Sequence, residues 1–134
     1  MGSPINTIIE QMKKALDAGT TLMAALPGGV HNRIPEKPSY PYIRIGDASE
    51  QKFNTFNHVG KTTFIRVHVF DITPTDFQVQ TLAGLADDLL DNITLTLTSW
   101  TSVLISWENT DIITDEDGKT HHAIMTYRII SQKT

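Results

Sequence analysis

Cysteine is absent from the 134-residue sequence, so the chain can form no disulfide, no thiolate zinc site and no cysteine nucleophile. Long apolar runs are also absent: none approaches the roughly twenty residues that span a bilayer, and the N-terminus lacks the charged and apolar regions of a signal peptide. Positive charge is scarce, because 11 Lys and Arg stand against 15 Asp and Glu. The net charge of -4 argues against a protein that binds duplex DNA by neutralising phosphates.

Hydrophobic residues make up 40% and charged residues 19% of the sequence, a balance typical of a globular protein. A chain of this length is expected to form one hydrophobic core. No internal repeat, low-complexity tract or second compositional region divides it. We therefore predict one domain over residues 5–131, and we interpret residues 1–4 as a cloning remnant or a disordered start.

Apolar residues at helical spacing predict two amphipathic helices. The first begins at Ile5 and continues past Leu16, with Gly19 placed to stop it, and a short further turn of helix follows. The second opens at Thr75-Asp76 and is expected to pack on a sheet. Its predicted apolar face consists of Phe77, Leu82, Leu85, Ala86, Leu89 and Leu90.

Two segments in the first half of the chain have the composition of strands. Residues 42–46 and 63–70 are rich in β-branched and aromatic side chains, and they are interpreted as an antiparallel pair joined by a long arm. Three prolines between residues 30 and 42 indicate an extended connector before the first strand, because proline fixes φ and restricts the residue before it.

The second half of the chain contains further strand patterns. Residues 93–97 alternate apolar and polar side chains, and residues 103–113 and 123–130 predict a hairpin closed by the turn at 115–118. With the helices, these patterns predict an α+β fold. We expect a mainly antiparallel β-sheet with two amphipathic helices packed on one face and a long β-hairpin arm.

No motif for catalysis or phosphate binding occurs in the sequence: a Gly-x-Ser-x-Gly elbow and a Gly-rich turn leading into a helix are both missing. The acidic stretch before Gly118 does not fit a calcium-binding loop, because that register puts Ile113 and Ile124 where carboxylates belong. A solvated hairpin tip explains it better. The acidic residues in question are Asp111, Asp115, Glu116 and Asp117.

The histidines and the paired carboxylates also have structural explanations. His121 and His122 are neighbours on a predicted strand, so their side chains point to opposite faces and do not chelate one ion. We interpret His68 as a hydrogen-bonded core or interface histidine, and the adjacent Asp87 and Asp88 as a solvated helix face. We therefore predict no catalytic residue, no cofactor, no metal ligand and no enzymatic activity.

Several side chains favour a partner instead. Residues 50–61 place aromatic and apolar side chains in a polar setting, and such an arm can either anchor in a neighbouring subunit or fold back on its own domain. Trp100 and Trp107 are expected in the core or an interface, and Arg44 and Arg66 are expected to pair with carboxylates across the sheet. The predicted interface residues are Phe53, Phe56, His58, Val59, Arg33 and Trp100.

The order of these patterns is similar to that in one known family. The chain resembles the tail-completion or tail-terminator proteins of long-tailed bacteriophages and prophage elements, from about Ile5 to Ile130. The stretch of residues 92–102 is longer than the family leads us to expect. The segments that carry the resemblance are Val30-His31-Asn32-Arg33-Ile34-Pro35, Pro41-Tyr42-Ile43-Arg44-Ile45, Phe64-Ile65-Arg66-Val67-His68-Val69-Phe70, Gly118-Lys119 and Met125-Thr126-Tyr127-Arg128-Ile129.

The resemblance implies a structural virion assembly protein. Such a protein forms a ring, usually of six copies, that caps the head-proximal end of the tail tube, ends its polymerisation and docks the head connector. The implied partners are the chain itself, the major tail tube protein and the head–tail connector, and DNA passes through the lumen without specific binding. Assembly is expected in the bacterial cytoplasm, with the finished protein in the tail or neck. We expect Asp111, Asp115, Glu116 and Asp117 on the channel or a mating surface.

Two alternatives stay open at this point. One is a head–tail connector stopper or adaptor, which differs in the neighbour that it binds. The other is a small-molecule-binding regulatory α+β dimer, in which the histidines and tryptophans would line a pocket.

Overall fold

The computed structural model describes residues 3–33, 36–37, 39–52, 59–95 and 97–133, and only the backbone of residues 102–104. Its helices are α1 (Ile5–Asp17), α2 (Thr20–Ala24) and α3 (Phe77–Leu90). Its strands are β1 (Val30–His31), β2 (Tyr42–Lys52), β3 (Gly60–Asp71), β4 (Trp100–Thr114) and β5 (His121–Lys133). These described strands form one sheet in the order β1-β2-β3-β5-β4.

The sheet is mainly antiparallel, as predicted. β1 runs parallel to β2, whereas the pairs β2–β3, β3–β5 and β4–β5 are antiparallel. The register shifts between Gly46 and Ser49 in β2, and again at two points along β4. Such bulges bend a strand and increase its twist.

Both helices pack on one face of this sheet, which confirms the predicted architecture. Side chains of β5 alternate between buried and half-buried, as expected for a strand with one face against the core. α1 buries Ile8, Met12 and Leu16 at helical spacing, and full burial of each such side chain stabilises the fold by roughly 1.5–3 kcal/mol. The residues that α3 buries are Val79, Leu82, Ala83, Ala86 and Leu90.

Two local predictions about the helices and the following segment were wrong, and one was confirmed. α1 ends at Asp17, and Gly19 stops it as predicted, because the extended ψ of 99° at Gly19 breaks the helix before α2 begins. Phe77 is 71% exposed because it is the first residue of α3 and points away from the sheet. Residues 93–95 and 97 are not a strand, since the N–H of Asn92 bonds to the carbonyl of Ile105 and the chain turns there.

The proline-rich connector contains a strand that its composition did not indicate. Val30 and His31 form β1 and pair with Ile43 and Arg44 of β2. The connector folds back so that the N–H of Gly28 donates to the carbonyl of Pro41 at 3.0 Å. β1 therefore covers a short part of the outer edge of β2.

The predicted arm is present as the hairpin of β2 and β3, whose described pairing reaches Lys52 and Lys61. Glu50 lies where the arm begins. The carboxylate of Glu50 accepts hydrogen bonds from the hydroxyl of Ser3 at 2.6 Å and from the ammonium of Lys61 at 2.8 Å, and these bonds stabilise the base of the arm. The remaining predicted arm residues Phe53, Phe56 and His58 lie outside the described residues.

Candidate interaction surfaces

Two of the predicted interface residues meet at the base of the arm, and a third lies apart. The carbonyl of Val59 accepts a hydrogen bond from the N–H of Lys133, which pairs with Trp100 across the sheet. Trp100 is 5% exposed, and the ammonium nitrogens of Lys61 and Lys133 lie 5.7 and 5.5 Å from the centroid of its ring. Arg33 is exposed just after β1, at the opposite edge of the sheet.

The predicted acidic surface divides into two parts. Asp111 is exposed on β4, and Glu116 is exposed in the turn between β4 and β5. Asp117 instead closes that turn, because its carboxylate accepts bonds from the N–H groups of Lys119 and Thr120 and from the Thr120 hydroxyl. These bonds lower the pKa of Asp117. Gly118 follows with a φ of 70°, a conformation that favours glycine.

A chain of hydrogen bonds crosses the sheet face that the helices leave open. Nε2 of His68 lies 2.8 Å from a carboxylate oxygen of Asp47, and its Nδ1 lies 2.8 Å from Nε2 of His122. A carboxylate only accepts, so Nε2 of His68 donates to Asp47 and Nδ1 accepts from His122. Arg44 also pairs with Asp47, at 3.1 Å. The prediction that Arg44 pairs across the sheet was wrong, because both residues belong to β2.

Burial determines the protonation of this cluster. Desolvation, with the nearby charge of Arg44, lowers the pKa of His68 from 6.5 to about 4. Desolvation also lowers the pKa of His122. Desolvation alone would raise the pKa of Asp47, but Arg44 and the bond from His68 outweigh it and lower that pKa. At neutral pH the cluster therefore holds two neutral imidazoles and one carboxylate.

The cluster is a structural network. Phe70 stacks on His122 with ring centroids 4.1 Å apart and on Tyr42 at 4.9 Å, so aromatic rings cover the imidazoles. This agrees with the interpretation of His68 as a hydrogen-bonded histidine, and its exposed fraction is 4%. Within the described ranges, no three His, Cys, Asp or Glu side chains are grouped to hold a metal ion.

Asp87 has a role that the sequence interpretation missed. The hydroxyl of the fully buried Tyr127 donates to its carboxylate at 2.6 Å, which links α3 to β5. Burial, together with this carboxylate, raises the pKa of Tyr127. Asp87 is thus not part of a solvated face, whereas Asp88 is exposed. The available signal was the position of Asp87 four residues after the buried Ala83, at the margin of the apolar face.

A shallow groove separates α3 from β4, and Trp107 lines it. Trp107 is 45% exposed, its indole N–H donates to Thr110 at 2.8 Å, and its backbone N–H donates to Asp91 at 3.0 Å. The groove also contains small and apolar residues, including Ala83, Gly84 and Ile112.

No helix among the described residues is both long and apolar enough to cross a membrane.

The chain is similar in sequence to known proteins of one family. The family model of tail completion protein gp17 matches residues 10–132. The tail completion protein gp17 of Bacillus phage SPP1 is 31% identical over 101 residues, which cover 72% of this chain and 75% of that protein.

Solved structures show the same fold. A chain from the virion of a native gene transfer agent particle matches with a TM-score of 0.90 at 14% identity, over 98% of this chain and 99% of that chain. The structure of bacteriophage SPP1 gp17 matches with a TM-score of 0.63 at 22% identity, over 96% of this chain and 95% of that chain. The fold is therefore shared across distant sequences.

Proposed function

Because the chain belongs to the tail completion protein gp17 family, which is a family of structural phage proteins, we propose that it caps the head-proximal end of a tail tube as a ring. The ring ends tube polymerisation and docks the head connector. The observation that carries this proposal is the family match over residues 10–132. The proposed partners are further copies of the chain, most simply six in all, the major tail tube protein and the connector.

The surfaces described above support self-association. A closed ring needs two different surfaces on each copy, since each subunit contacts the next one head to tail. Arg33 lies at one edge of the sheet, and the exposed Asp111 and Trp107 lie at the other. The net charge of -4 suits a ring through which DNA passes without being held.

No specific observation favours the small-molecule-binding dimer or the stopper or adaptor role. The groove beside Trp107 is shallow, and His68 and His122 bond to each other and, through His68, to Asp47 instead of lining an empty cavity. A stopper or adaptor role is distinguished by its neighbour in the particle. Assembly in the bacterial cytoplasm and a final position in the tail or neck follow from the proposed role.

The test is deletion of the gene in the phage or prophage element that encodes the chain. Electron microscopy of the lysate is expected to show heads and tails that are not joined, with tails of irregular length. Supplying the natural chain from a plasmid should restore joined particles. Normal, joined tails in the deletion strain would refute the proposal, and joined tails of irregular length would limit the role to length control.

A further inference from the structure

We infer that β4 of one copy pairs with the free edge of β2 of the next copy, so that the sheets continue from subunit to subunit around the ring. This inference rests on the proposed function, because it assigns the surfaces through which the copies associate. β4 and β2 lie towards opposite ends of the sheet, which is the placement that a head-to-tail contact requires.

β4 is a long strand whose outer edge is open along part of its length. Asn92 and Asp91 occupy that edge at Ile105 and Trp107 through hydrogen bonds to their backbone groups, and residues 109–114 continue the edge beyond them. The strand spans 15 residues and pairs with β5 on one side, while its other side has no strand partner among the described residues. Natural edge strands are protected by shortness, bulges, Pro or charged side chains, and both bulges of β4 lie before residues 109–114. β4 contains no Pro, Lys or Arg and is rich in β-branched residues. An edge of this kind is a template for another strand.

β2 offers the complementary edge. β1 covers it only at Ile43 and Arg44, so the part of β2 from Ile45 to Lys52 has no strand on that side within the described ranges. Successive antiparallel pairs make β2 and β5 run in one direction, and β3 and β4 in the other. A copy rotated about an axis along the strands therefore presents its β2 antiparallel to β4, the arrangement with the more stable hydrogen bonding.

Charge favours this contact over a symmetric dimer. Residues 67–118, which include α3 and β4, contain ten Asp or Glu and no Lys or Arg. Residues 1–66, which include α1 and β2, contain eight Lys or Arg and five Asp or Glu. Pairing β4 with β4 would bring Glu108 and Asp111 against the same acidic residues, and like charges across strands are destabilising. In β2, by contrast, the carboxylates of Asp47 and Glu50 are already paired with Arg44 and Lys61 of the same copy, so less unpaired negative charge meets β4 there.

The absence of cysteine allows a direct test by cross-linking inside assembled particles. Asp111 on β4 and Gln51 on β2 are both exposed. The variant with Asp111→Cys and Gln51→Cys is supplied to the deletion strain, and purified particles are treated with a short bismaleimide. Denaturing gels are expected to show a ladder of linked chains beyond the dimer. A mixture of the two single variants should stop at the dimer.

A matched control replaces Gln51→Cys by Thr81→Cys, an exposed residue of α3, the helix that packs on β3, β4 and β5. This control should give no ladder. Dimers from Asp111→Cys alone would show β4 pairing with itself and overturn the inference. Infectious particles from the double variant without any ladder would also overturn it, while leaving the capping role intact. If the natural chain itself fails to restore particles, the proposed function fails instead.

Discussion

Lowering the pH from 7 to 5 should destabilise the protein through His68. At pH 7 the side chain is neutral in both the folded and the unfolded chain. In the folded chain its pKa is about 4, against 6.5 when unperturbed. Between these two values the unfolded chain takes up a proton that the folded chain does not, so stability falls as the pH falls through this window. Below about pH 4 both states are protonated and the loss levels off.

The size of the effect follows from the pKa difference. Each unit corresponds to about 1.36 kcal/mol, so the full loss approaches about 3 kcal/mol, and roughly 2 kcal/mol is already lost at pH 5. Solvent screens the effect only weakly, because 4% of His68 is exposed. The lowered pKa of His122 acts in the same direction.

Urea denaturation at pH 7 and pH 5 measures the effect as a change in the free energy of unfolding. His68→Gln removes the titrating group, so this variant should lose about 2 kcal/mol less than the natural chain between the two pH values. His31→Gln changes a histidine of β1 outside the cluster and should retain the natural dependence. Equal pH dependence in His68→Gln and the natural chain would refute the reasoning.

Three further predictions concern stability, each measured by thermal or urea unfolding at pH 7. Tyr127→Phe should cost about 1.5–3 kcal/mol, the range for a hydrogen bond to a charged group, and an unchanged midpoint would contradict the role of Asp87. Gly28→Ala should cost about 1–3 kcal/mol or more, since a Cβ there would overlap the carbonyl oxygen of Ser39. Trp100→Ala should cost about 3–5 kcal/mol and Trp107→Ala clearly less, because Trp100 is 5% and Trp107 45% exposed. The reverse order would contradict the deeper burial of Trp100.

The periodicity of apolar residues was sufficient to predict the architecture, because a helix or strand with one buried face has apolar residues at regular spacing. The spacing of Ile8, Met12 and Leu16 predicts α1, and the alternation along β5 predicts a half-buried strand. The same reasoning failed at residues 93–97. A short alternating segment is compatible with a strand, but the positive φ of Asn92 and its bond to Ile105 are tertiary features that no local pattern reveals.

The contacts between distant residues were beyond local sequence reasoning. His68 and His122 are separated by 54 positions, and only the pairing of β3 with β5 brings their rings together. Val30 and His31 form β1 because the connector returns to β2, although their neighbours predict an extended loop. The exposure of Asp111 and Glu116 is what their charge leads one to expect, but the role of Asp117 in the turn depends on the backbone around it.

The strand order has a consequence for biosynthesis. β5 follows β4 along the chain but lies between β3 and β4 in the sheet. While a ribosome is making the protein, β4 has no strand partner among the described residues until β5 has emerged. A chain interrupted before residue 121 lacks β5, so β4 is not joined to β3 in the sheet. Such a chain does not carry the edges of β2 and β4 on one continuous sheet.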